Sequence, residues 1–156
     1  MLDFEQIKQK TNDLLQGAVR KLKQYTPESF SKEKKFINAL VGCLALMTMA
    51  DKKAETQEVM TSINLIKDID EITELEMTDE ALELYEYHLE MLSKVVDSPT
   101  KWIIAEARML SDISKIKSYP EYPPMVEALI DYVAQSDGKL DPLEKEMQRK
   151  IMNAIR

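Results

Sequence analysis

Shifting the chain by 86 positions lays one acidic segment over another, and no other feature restricts the possible folds as much. Asp51, Glu55 and Glu58 superimpose on Asp137, Asp141 and Glu144. Upstream, Leu40, Cys43, Leu44 and Met47 fall on Val126, Leu129, Ile130 and Val133; downstream, Leu65, Ile66 and Ile69 fall on Ile151, Met152 and Ile155. In each segment one carboxylate ends an apolar helical pattern, a second begins the next, and a third follows three residues later. Apolar residues at matching helical positions on both sides predict two related helix-corner-helix units packed against each other.

The rest of the chain reads as helix. Phe4, Ile7, Leu14, Leu15, Ala18 and Leu22 recur at near-helical spacing, with Asp3 available as an N-cap, so residues 1–30 form an amphipathic helix and a link that breaks at Pro27. Ser31 opens a long helix reaching about Met49, and its uncharged stretch from Phe36 to Ala50 has the length of a buried core helix rather than a membrane span. Val59, Ile63, Ile66 and Ile69 predict a third helix from about Thr56 to Asp68, and Ile69 to Met77 fits either a short helix or a connector. Thr78 is a credible N-cap for a helix carrying Leu82, Tyr85, Leu89 and Leu92. Ser98-Pro99 starts the next helix, whose inner face is Trp102, Ala105, Met109 and Ile113. Pro120, Pro123 and Pro124 mark a linker, with a helix opening near Pro124 and running to Gln135. Pro142 to Ile155 closes the fold. The expectation is an all-α chain of about seven helices forming a single domain over residues 1–156.

With 156 residues, the chain can bury a core without disulfides or a structural metal, and three glycines with few aromatics favour helix over a β-sandwich. A formal charge of −7 argues against nucleic acid as a partner and suits cations or basic protein surfaces. One cysteine, Cys43, excludes an internal disulfide framework and is compatible with a reducing compartment. With neither a signal-peptide pattern nor a spanning apolar run, the expected location is cytoplasmic, without direct membrane insertion.

The corner carboxylates support two readings. In the first they are helix caps. Asp141 precedes Pro142, which suits a first helical turn, and Glu144 stands where a capping box places its acid; such a cap contributes about 1 kcal/mol. In the second they gather. Two carboxylates 4 Å apart near a surface repel by about 4 kcal/mol, so a shared patch calls for a compensating cation. Calcium and magnesium both take oxygen ligands, and the D-x-D-x-D-G pattern of an EF-hand is missing. Asp51, Glu55 and Glu58 would supply one side, and Asp137, Asp141 and Glu144 the other.

At these two corners the chain resembles the TerB family of tellurite-resistance and stress-response domains. The resemblance rests on Ala50-Asp51 and Glu58 after a long apolar helix, and on Ser136-Asp137-Gly138-Lys139-Leu140-Asp141 with Glu144 before the last helix. Its motifs run from about Phe36 to the C-terminus, within a region of strongest resemblance over residues 31–156. It implies an internally duplicated helical bundle without known catalysis, and an acidic surface cluster proposed to bind a divalent metal ion, whose identity (calcium, magnesium or another) the resemblance leaves open. It also implies work in a stress-response assembly, beside a TerC-like membrane protein that would hold the chain near the membrane. The first corner departs from the pattern: Lys52 and Lys53 follow Asp51 where the family has Asp-Gly, and lysine takes a left-handed backbone only at a cost.

Other residues carry less chemistry. His88 has no zinc-type constellation around it, so a place on the helix surface or at the edge of the core is expected. Cys43 lies within the apolar run and reads as a buried inert thiol. The ten methionines mostly occupy core positions. No phosphate loop or nucleophile motif is present, so the expected function is non-enzymatic. The competing readings are a metal-free helical interaction module with capping acids and, more remotely, a metal-assisted hydrolase, which needs a concave site beside the acids.

Overall fold

The computed structural model describes Pro27, residues 30–136 and residues 141–156. Among these residues the secondary structure is entirely helical. The N-terminal helix expected around Phe4 to Leu22 lies outside them, as do Asp137, Gly138, Lys139 and Leu140.

Helix α1, Lys32–Thr48, is the axis of the fold. Its N-cap Ser31 accepts a bond from the amide of Lys34 at 3.2 Å, and every residue from Phe36 to Thr48 is buried. A helix apolar all round must be surrounded by other elements. The remaining helices supply that shell: α2 (Thr56–Asp68), α3 (Asp70–Glu74), α4 (Thr78–Ser93), α5 (Pro99–Ser114), α6 (Tyr122–Ser136) and α7 (Pro142–Ile155). A short 3₁₀ turn, Lys115–Ser118, follows α5 and buries Ile116. Helices α4 and α5 pack most extensively on the axis, and α6, α7 and α2 close the rest. No helix among the described residues is long and apolar enough to cross a membrane.

Three local outcomes refine the sequence reading. The ambiguous stretch after α2 is a one-turn helix, α3, that plugs Ile72 into the core and ends with Glu76 at φ 57°, where Met77 N–H bonds back to Ile72 O at 3.1 Å. Thr78 is the first residue of α4 and not its cap; Met77 occupies the cap position, with no side-chain bond to the free amides. Helix α6 begins at Tyr122, ahead of the prolines expected to lie in a linker. Pro123 and Pro124 fit there because amides in a first turn have no helical partner to lose. Tyr122 also stacks on Phe36 at 4.3 Å, pinning the start of α6 to the start of α1.

A carboxylate cleft between the two corners

The first corner is built by the backbone. After α1, Met49 N–H bonds to Ala45 O, and Lys52 N–H bonds to Met49 O at 2.8 Å. Lys52 itself is at φ 64°, the left-handed conformation that glycine would adopt without strain. Asp51 Oδ1 accepts from Lys53 N–H at 3.0 Å, so this carboxylate stabilises the turn that follows it. Glu55 occupies the N-cap of α2 in an extended conformation without making a side-chain cap bond, and Glu58 lies in the first turn.

At the second corner, Asp141 caps α7. Its Oδ1 accepts from Glu144 N–H at 2.9 Å, and Pro142 begins the helix. Two of the six acids singled out by spacing, Asp51 and Asp141, therefore serve backbone amides.

The remaining three described acids border one cleft. Glu55, Glu58 and Glu144 line a cleft of about 570 Å³ together with Gln57, Thr61, Met47, Val133, Thr48 and Ser62. Thr48 and Ser62 are buried, and behind them stands Tyr85 of α4. The Thr48 hydroxyl donates to Leu44 O at 2.8 Å, so its oxygen accepts in the 3.0 Å contact with the Tyr85 hydroxyl; Ser62 Oγ lies 3.4 Å away. Burial pushes the Tyr85 phenol well above its ordinary range, and the charges of Glu86 and Glu58 add to the rise. The phenol stays protonated, and its single hydrogen is held by Thr48 beneath the acidic rim.

These residues do not fit a compact metal cage. No three His, Cys, Asp or Glu side chains among the described residues converge closely enough to hold an ion. The physical reason lies in the corners. Asp51 and Asp141 each turn one oxygen onto a nearby amide, and the glutamates are spread over a cleft much larger than a bare cation. Asp137 lies outside the described residues.

The hydroxyl floor and a second polar array were not anticipated. Trp102 Nε1–H donates to Glu106 Oε2 at 3.1 Å, and Lys150 Nζ donates to Glu106 Oε1 at 2.7 Å. The available signal was a set of polar residues at inward helical positions: Thr48 closing an apolar run, and Glu106 between Trp102 and Met109. His88 is also corrected. It is fully buried in the core, bonded to Asn38, because the inner face of α4 runs through it. Cys43 is buried, and desolvation raises its thiol far above the reactive range. No family model, curated protein or solved structure matches this chain.

Proposed function

We propose that this chain is a non-enzymatic helical binding module whose cleft receives a cationic group of a protein partner. The observation that carries this reading is that Glu55, Glu58 and Glu144, drawn from both corners, line one cleft over a floor of hydroxyls. Carboxylates accept from lysine and arginine with charge-assisted bonds, and hydroxyls and Gln57 can satisfy the donors that remain. The volume of the cleft suits a side chain better than a bare ion, and the turn bond of Asp51 and the cap bond of Asp141 each engage one oxygen of an acid that a metal would need. The net charge of −7 would steer a basic surface toward it. The likeness to TerB domains makes a stress-response assembly the natural setting, with a TerC-like membrane protein among its members, and tellurite as one candidate stress.

A hydrated divalent cation is the second reading, supported by the same three carboxylates. Magnesium commonly keeps several waters and takes one or two carboxylates directly, so it tolerates an open site. A hydrolase gains the concave site it requires but, among the described residues, no three-ligand group.

The test is thermal unfolding of metal-stripped protein, titrated separately with a hexa-arginine peptide and with calcium, magnesium, manganese and zinc. At 100 times its dissociation constant a ligand adds about 2.7 kcal/mol. A saturable rise with the peptide, lost in the triple variant Glu55→Gln, Glu58→Gln, Glu144→Gln, supports the partner reading. A rise confined to one metal and lost in the same variant moves the assignment to the ion. No rise with any of them sinks both.

A further inference from the structure

The side chain at the irregular first corner does not point toward the acidic cleft's chemistry but toward α5. Lys52 Nζ lies 5.4 Å from the centroid of the Trp102 ring, within range of a cation–π contact. The indole then donates to Glu106 one turn further along α5, and the other oxygen of that carboxylate accepts from Lys150 of α7. Trp102 and Glu106 are buried, at 6% and 9% exposure, while Lys150 reaches in from the edge. A single carboxylate thus joins two elements that have no sequence neighbourhood in common.

We infer that Lys52, Trp102, Glu106 and Lys150 form a latch that makes the first corner and α7 open and close together. The argument rests on what a buried carboxylate requires. With both donors in place its charge is compensated; without Lys150 it keeps one neutral bond in a site that water hardly reaches. The carboxylate relaxes by turning toward solvent, which withdraws the acceptor from the indole and unseats the ring on which Lys52 rests. A change on α7 is thereby felt at the first corner, and the reverse follows by linkage. Glu144 sits on α7 and Glu55 follows the first corner, so the latch also governs the spacing of the cleft walls. The inference stands whether or not the cleft takes a ligand.

The experiment is hydrogen exchange on the full chain, read by mass spectrometry over Met49 to Ala54, together with emission from Trp102, the sole tryptophan. Lys150→Met removes the donor and keeps the aliphatic stem; Lys150→Arg keeps a donor. The expected result for Lys150→Met is exchange at the first corner faster by about tenfold, within the range for residues sharing one network, and red-shifted emission. Exchange in Thr78–Ser93 stays as in the wild type, and Lys150→Arg behaves as the wild type at both readouts. First-corner exchange within about twofold of wild type in Lys150→Met overturns the latch, as does an equal acceleration in Thr78–Ser93, which would mean general loss of stability.

Discussion

Nε2 of His88 lies 2.8 Å from Oδ1 of Asn38, and both side chains are buried between α4 and α1. An amide oxygen can only accept, so Nε2 carries a proton in this pair, and it is burial that disfavours a second proton on the ring. Burial lowers the His88 pKa to about 4 from an ordinary 6.5. Tyr87 meets the ring edge-on at 5.5 Å.

The sign of the pH effect follows. The unfolded chain takes up a proton at His88 below about pH 6.5, whereas the folded chain resists until about pH 4, so stability is full above 6.5 and declines as pH falls through that window. The linkage corresponds to roughly 3 kcal/mol for a fully buried ring. Urea midpoints measured from pH 7 to pH 4 should therefore fall more steeply for the wild type than for His88→Gln, which keeps an amide donor for Asn38 and cannot titrate. Parallel curves would mean that His88 takes up its proton over the same pH range in the folded chain as in the unfolded one.

Lys52 supplies a second prediction. Its left-handed backbone stores strain, and its ammonium recovers part of that through the Trp102 ring. Lys52→Ala keeps the strain and loses the contact, so it should lower stability by about 0.5–1 kcal/mol. Lys52→Gly loses the same contact but relaxes the backbone, and should exceed the alanine variant by about 1 kcal/mol. Chemical denaturation of the pair settles the matter; equal stabilities would mean that the corner is not strained.

These positions also show how far the sequence reaches. The run from Phe36 to Ala50 announced the buried axis because thirteen successive inward residues leave a helix no solvent face. Asp141 before Pro142 announced a cap, since that chemistry is complete within four residues. The bend at Lys52 was legible as a departure from Asp-Gly. By contrast, Tyr85, His88 and Glu106 each have a partner far along the chain, 37, 50 and 44 residues away at Thr48, Asn38 and Lys150. Helical periodicity says which side chains turn inward but not which helices become neighbours, so such pairings emerge only from packing. The split among the acids was illegible for the same reason: Asp51 and Glu55 are four residues apart, yet one bonds to its own turn and the other joins Glu144 at the cleft.

That split leads to a third prediction, which separates cap from ligand at Asp141. Its Oδ1 holds the Glu144 amide, a bond available to asparagine and absent in alanine. Asp141→Ala should lower stability by about 1 kcal/mol, and Asp141→Asn should recover most of it. Both effects should be identical in chelator and in millimolar calcium or magnesium, because a cap acts without an ion. Glu55→Gln, which removes no cap bond, should leave chelator-treated stability within about 0.5 kcal/mol of wild type. The urea midpoint at pH 7 is the measurement. If asparagine proves as damaging as alanine, and only when the ion is present, the carboxylate of Asp141 is binding metal, and the second corner has to be rebuilt around a cation instead of a helix start.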